Sequence, residues 1–553
     1  MIRNQDQILF IFLFIFILVG CQSEEALEVN ETIEEEYVSF TLFSADFHSQ
    51  WDYMESPVSQ VVQEKTGVKI EAEFDVNGGE QKIALMAANG EYPDLILPKG
   101  SASTLVDTEA LIDLAPLIDQ YAPNIKELYG DYLDRLRWSS EDPSIYILST
   151  VSMDHTYWAP DNGFLLQHDV VKELGYPKIR TVKDFEEAIR SYKKRYPTID
   201  GEPTIGLSLL ADDWRILIST TNPAFYATGA SDDGEYYVDP DTYKATLHYR
   251  RPEEKEYFRW LNHMNDSGLL DPESFVQKYE QYLEKISSGR VLGLIDSEWS
   301  VSDAQRMLRE KGKEKRMYGM YPVTLSEEYK HPNFQDTGYL GGWGVGITVD
   351  CEDPILAIQF LDFLASEEGQ ILQNWGIENK HYQIIDGKRV ISEEEMFQRN
   401  HDSNYVKKTG IGVLDSIAPS YGDGVKDSSG QTYTIASPDQ IIDSYSSIEK
   451  EVLSSFGVSM WKDLYPPKEA FPVKPWGSAF NLSIDPNSQL AVINQKALEI
   501  VKERIPEVIL VEPSEFDSVW ETFMNELLDI GIEKAEEEYS RLIKERMKLW
   551  EQS

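Results

Sequence analysis

Basic residues are scarce in this chain: 51 Lys and Arg stand against 96 Asp and Glu among 553 residues, a formal charge of −45. A phosphate backbone is bound by neutralising it with Lys and Arg, so nucleic acid is excluded as a partner. Cysteine is scarcer still, with Cys21 and Cys351 the only two. They exclude a disulfide scaffold and allow one bridge at most. None of the eight His lies three or four residues from another, which removes the helical zinc pair of the HExxH enzymes. No GxSxG elbow, Walker loop or GxGxxG fingerprint occurs, and the glycine clusters around Trp343 and Ile411 read as tight turns. Carboxylate pairs for glycoside hydrolysis can be drawn from 96 acids in too many ways to carry weight. No catalytic residue, metal site or cofactor is expected.

Apolar residues are plentiful. Hydrophobic residues make up 41% of the chain and aromatics 12%, too many for a disordered acidic tail. At roughly 150 residues per domain, the length suits two to four domains. Ile8 to Gly20 is an unbroken apolar run of thirteen behind Arg3. A membrane span needs roughly 18, so the run fits the hydrophobic stretch of a signal peptide. It ends in Leu18-Val19-Gly20-Cys21, which resembles a bacterial lipobox; the resemblance implies cleavage before Cys21 and a lipid on its sulfur. Cys351 is then a lone thiol. Gln22 to Glu36 carries seven Glu and no basic residue, an extended, self-repelling tether.

Beyond the tether the pattern is α/β. Tyr37 to Phe43 alternates as a strand, Ser56 to Thr66 reads as a helix closed by Gly67, and Val68 to Phe74 alternates again. Strand, helix, strand is the unit of a parallel sheet. A helix over Glu80–Asn89 and a short strand to Leu97 follow. Further helices are expected at Val182–Tyr196, Ser274–Ser287, Pro354–Leu372 and Phe516–Ile530, with a strand at Val291–Ile295.

Several segments resemble the family-1 extracellular solute-binding proteins, specifically the large LplA-type lipoproteins that feed carbohydrate ABC importers. The carriers are Glu64-Lys65-Thr66-Gly67-Val68, Ala88 to Ile96 (ANGEYPDLI), His168 to Phe185, Ser267 to Glu273 and Phe360 to Tyr382, in that order along the chain. Two segments depart from the family. Pro143 to Leu148 replaces a tyrosine-rich strand, and Tyr196 to Pro203 is too short and too poor in carboxylates to supply the 6 to 8 oxygens calcium wants.

The resemblance implies a two-lobed, periplasmic-binding-protein-like α/β fold (type II) with hinge crossings and a C-terminal helical extension. Its segments would be a signal peptide at 1–20, a tether at 21–36, an N-terminal lobe from 37–155 and 337–375, a C-terminal lobe from 156–336 and 376–474, and the extension at 475–553. It also implies an oligosaccharide ligand, ABC permease subunits as partners, a membrane anchor through Cys21 and a monomer. Other readings stay open: a cell-surface lyase or hydrolase acting on polysaccharide, or a sensor serving a membrane kinase.

Sugars offer hydroxyl rims and weakly apolar faces, so a carbohydrate cleft needs aromatic platforms flanked by polar side chains. Candidates lie in loops that the fold would turn toward the cleft: Trp51 and Tyr53 after the first strand, Trp158 with Tyr157 at a crossing, and Trp214 beside Asp212, Asp213 and Arg215. Glu298 and Trp299 follow a strand end, and Trp343 lies at a second crossing. Trp375 and Trp520, at helical apolar spacing, are expected in the core. The acidic body disfavours polyanionic ligands at long range, though Arg and Lys inside a cleft can override that.

Overall fold

Alternation decides the first sheet. In β1 (Val38–Ser44), Phe40 and Leu42 turn inward and Ser39 and Thr41 outward. The helix Pro57–Thr66 that follows starts on Ser56, whose hydroxyl accepts the Ser59 N–H, and ends on Gly67 at φ 69°. The chain then returns in β2 (Val68–Phe74), parallel to β1 with Val38 opposite Val68. The other main strands are β3 (Leu95–Leu97), β4 (Leu148–Ser149), β5 (Asn162–Gln167), β6 (Ile205–Ser208), β7 (Val291–Ser297), β8 (Tyr318–Tyr321) and β9 (Gly344–Ile347). One sheet runs β2-β1-β3-β9-β4 and the other β8-β5-β7-β6. In the second, β6 and β7 are parallel, while β5 runs antiparallel to β7 with Asn162 opposite Ser297. The computed structural model describes residues 37–75, 79–152, 156–338 and 343–551, and the segment Val38–Ser553 forms one compact unit. The signal segment, Cys21 and the acidic tether lie outside the described residues. Among the described residues, no helix is long and apolar enough to cross a membrane.

Each sheet has its own core. Phe40, Leu42, Val58, Val345, Ile347 and Leu361 fill the first. Phe164, Leu166, Phe185, Leu207, Leu292 and Ile295 fill the second, joined by Val501, Ile505, Trp520 and Phe523 from the last helices. Each of these side chains contributes roughly 1.5–3 kcal/mol by leaving water, so the C-terminal extension is bound into the second core. Trp375 and Trp520 are buried, as their spacing implies.

Three expectations about elements change. The apolar run from Pro354 makes two helices, Pro354–Ala365 and Glu367–Trp375, because Ser366 adopts φ −68°, ψ 161° and its hydroxyl caps the second at the Gly369 N–H. The helix expected from Ser274 begins at Tyr279. Ser274 Oγ accepts the Leu209 N–H at 3.1 Å and Gln277 Nε2 donates to the Leu209 carbonyl at 2.6 Å, which ties that stretch to the end of β6 as a turn. Finally, packing does not change hands at residue 376: Tyr405, Ile411, Val413, Leu414 and Ile417 cover the first core beside those two helices. The segment from Tyr196 to Pro203 is a tight hairpin whose Asp200 pairs with Lys313 at 2.8 Å. Cys351 is a buried free thiol, raised by burial to about 11.

The chain therefore passes between the cores three times: from β4 to β5, from β8 to β9, and between Tyr433, stacked on Tyr421 beside the first core, and Tyr445, packed on the second. The passages bond to one another. Thr150 N–H donates to the Trp343 carbonyl at 3.2 Å, and Thr156 N–H to the Asp423 carbonyl at 2.8 Å. Gly344 opens β9 where a Cβ would lie 1.8 Å from the Leu148 carbonyl oxygen, so only glycine lets β9 and β4 close there.

Candidate functional site

Strand direction collects the candidates. β6 and β7 are parallel, so their carboxyl ends lie at one edge of the second sheet, and antiparallel β5 starts at that edge. Trp214 lies six residues past the end of β6, Glu298 and Trp299 follow β7, and Trp158 and Asp161 precede β5. Carboxyl ends are where open α/β sheets hold ligands. The first sheet has an equivalent edge: β1 and β3 end there at Ser44 and Leu97, antiparallel β9 begins there, and β4 leaves it for the first crossing. Lys99 confirms the grouping, ion-paired to Asp46 and standing 5.1 Å over the Trp343 ring.

On the second edge, Trp214 and Trp299 stack 6.1 Å apart at 12°, yet stay 43% and 50% exposed. Arg215 braces them. Its guanidinium lies 5.0 Å over Trp214 and 4.3 Å over Tyr279 and bonds the Asp213 carboxylate at 2.5 Å. Asp212 bonds Lys278. Glu298 opens the helix Glu298–Glu310, its N–H bonded to the Asp161 carbonyl at 2.8 Å and its carboxylate accepting from Gln305 Nε2 at 3.0 Å. The side chain stays open to solvent, but protein surrounds it on most sides. That desolvation lifts its pKa to about 7, against the Gln305 bond and with the help of the Asp161 charge. Trp158 lies half-buried under the Lys462 ammonium, 4.3 Å from its ring centroid. Burial also raises the neighbouring Tyr157, with Asp161 and Asp336 adding to it.

Trp51 and Tyr53 are elsewhere. Trp51, expected as an open platform, is only 5% exposed because His48 and Phe74 pack on it. Tyr53 is 61% exposed at φ 59°, under Lys407 at 5.4 Å. Both border a groove of about 710 Å³ beside β1 and β2, which Glu71, Tyr92 and Pro93 also line. Trp343 stands apart from the stacked pair, at the second crossing, 5.3 Å from Phe480 of the extension. Sequence reasoning missed Phe47, 64% exposed one residue beyond Asp46. Position was the available signal: of the rings in that loop, Phe47 is nearest the strand end, whereas Trp51 lies farther along, where His48 and Phe74 cover it.

Two separately cored lobes joined by crossings that bond to one another form the framework that carries these rings. A family profile described as bacterial extracellular solute-binding protein matches residues 60–374. The chain belongs to that family. Its fold is the two-lobed one of solved solute-binding proteins: the structure of FusA, an ABC-transporter substrate-binding protein of S. pneumoniae, in complex with fructo-nystose superposes with a TM-score of 0.65 at 16% identity, over 92% of this chain and 99% of that one. By sequence, the fructooligosaccharide ABC transporter substrate-binding protein FusA of Streptococcus pneumoniae is 24% identical over 258 residues, 42% of this solute-binding protein. Lipoprotein LipO of Bacillus subtilis is 21% identical over 344 residues, 60% of it. These alignments span 45% and 65% of the two curated relatives.

Proposed function

We propose that this solute-binding protein captures an oligosaccharide between its lobes and delivers it to the permease subunits of an ABC importer. The observation that carries the reading is the exposed Trp214–Trp299 pair at the carboxyl ends of two parallel strands. Side chains of this size are normally buried, and two open rings held parallel offer the flat apolar faces that sugar C–H surfaces stack on. Asp213 and Glu298 supply acceptors for the hydroxyl rim, while Trp158 and Trp343 flank the crossings where closure would bring the edges together. Trp51 and Tyr53 belong to the separate groove and take no part in this reading.

FusA, named for fructooligosaccharide, supports the carbohydrate assignment, and a lipoprotein among the matches supports the anchor. The reading includes cleavage before Cys21, a lipid on its sulfur, an extracytoplasmic position on the cell membrane, a monomeric body and membership of the LplA-type subgroup. It assigns the protein no reaction of its own. Calorimetry against a panel of oligosaccharides tests it: saturable binding without release of reducing ends is expected, and product release without stable binding would replace the transporter reading with a hydrolase or lyase. Labelling with a palmitate analogue tests the anchor, with Cys21→Ser expected to remove the label.

A further inference from the structure

Resting on the reading that the Trp214–Trp299 edge holds a sugar, we infer that Phe480 of the C-terminal extension touches the same ligand and, with Trp343, forms a second aromatic subsite that stacks on another ring of the sugar chain.

Phe480 lies between the carboxyl ends of both sheets. On one side is Trp343, placed at the first edge by Lys99, which follows β3 and pairs with Asp46 beyond β1. On the other is Gly234, tied to the second edge by a run of hydrogen bonds. Just past β6, Ser219 Oγ accepts the Leu210 N–H at 3.0 Å; Asn222 Nδ2 then donates to Asp232 at 3.1 Å, and Asp232 accepts the Gly234 N–H at 2.8 Å. Gly234, at φ 87°, admits Phe480 so closely that a Cβ there would lie 2.8 Å from the Phe480 Cβ.

The turn Ala479–Asn481 that carries the ring is fixed from behind. Arg546 donates to the Ser478 carbonyl, the Asn481 carbonyl and Asn481 Oδ1, each at 2.7 Å. The Tyr539 hydroxyl donates to the Ala479 carbonyl at 2.6 Å, and buried Asp233, ion-paired to Lys474 at 2.6 Å, accepts the Ala479 N–H at 3.3 Å. All this bonding holds a ring that is not itself buried: Phe480 and Trp343 meet at 5.3 Å with a 52° tilt, and both stay exposed. A rigid, open aromatic ring offers a sugar face a partner that loses little freedom on binding. The pair also spans the lobes, because Ala479 belongs to the second core and Val345, two residues past Trp343, to the first. A sugar ring held against both therefore bridges them.

Calorimetric titration of the mature protein against a panel of fructo-, xylo-, manno- and galacto-oligosaccharides separates the outcomes, using the member that the wild type binds most tightly. Phe480→Ala and Phe480→Leu should each weaken it by at least ~tenfold, whereas Phe480→Tyr, which keeps the face, should stay within ~threefold of the wild type. Leucine keeps the apolar bulk beside Gly234 and Trp343, so a residue that merely packed there would survive that change. Thermal melts near that of the wild type confirm that the variants fold. Wild-type affinity in Phe480→Ala or in Phe480→Leu overturns the inference, as does a tyrosine variant as weak as the alanine one; the sugar reading still stands in those cases if Trp299→Ala weakens binding. Silence of the wild type across the whole panel overturns both.

Discussion

Trp214 and Trp299 keep about half their surface open although they stack on one another, and the Arg215 guanidinium packs on the Trp214 ring. Replacing either ring by alanine removes a sugar face without opening a core cavity. Trp214→Ala and Trp299→Ala should each weaken ligand binding by at least ~tenfold, about 1.4 kcal/mol, with the melting temperature almost unmoved; calorimetry and a thermal melt read the two together. Glu298 gives a pH signature. Its carboxyl is lifted to about 7 in the folded protein, so between its ordinary range and about 7 the folded state keeps a proton that the unfolded state has lost. Stability therefore falls as pH rises through that window, and a glutamine is spared the loss. The melting temperature of Glu298→Gln should gain on the wild type between about pH 5 and about pH 8. His168 and His331 act in the opposite sense: burial depresses them to about 4 and about 3, and neither ring makes a hydrogen bond among the described residues. Below about 6.5 the unfolded chain takes up protons that the folded one refuses, so stability falls with acid. His331→Phe, which preserves the stack on Tyr226, should flatten that fall in melts recorded from about pH 6.5 to about pH 4.5.

At the scale of elements, much of the first sheet was legible. Phe40 and Leu42 alternate with polar neighbours, Ser56 and Gly67 mark both ends of a helix, and Val68 to Phe74 alternates again; each signal is local. What was not legible depends on side chains bonding at a distance. Nothing local says that Ser274 and Gln277 will be held by Leu209, or that Ser366 will cap a new helix rather than continue the old one. Ser366→Ala should cost about 1 kcal/mol by removing that cap, measured by urea denaturation. The platforms divide in the same way. Trp51, Trp214 and Trp299 look alike in sequence, each in a polar stretch after a strand, and only packing shows that His48 and Phe74 cover the first while the other two stay about half exposed.

For the whole molecule, the three bonded crossings are the place where two separately cored lobes can turn, because each lobe moves as a rigid body only if its core stays intact. The boundary expected at residue 376 misjudged this. Chain order suggested a return to the second lobe after Trp375, but the apolar residues from Tyr405 to Ile417 are needed to close the first core, and the return waits until after Tyr433. The extension reaches back as well, with Trp550 lying 5.1 Å from the Arg135 guanidinium of the first-lobe segment. Ligand-driven closure should shrink the radius of gyration in small-angle scattering, and Trp214→Ala should blunt that change at a fixed sugar concentration. The central claim is that open tryptophans on the second sheet bind an oligosaccharide, and calorimetric titration of wild type, Trp214→Ala and Trp299→Ala with one neutral oligosaccharide drawn from the panel tests it most directly. The account predicts saturable one-site binding that both substitutions weaken by at least ~tenfold; equal affinity in all three proteins would contradict it.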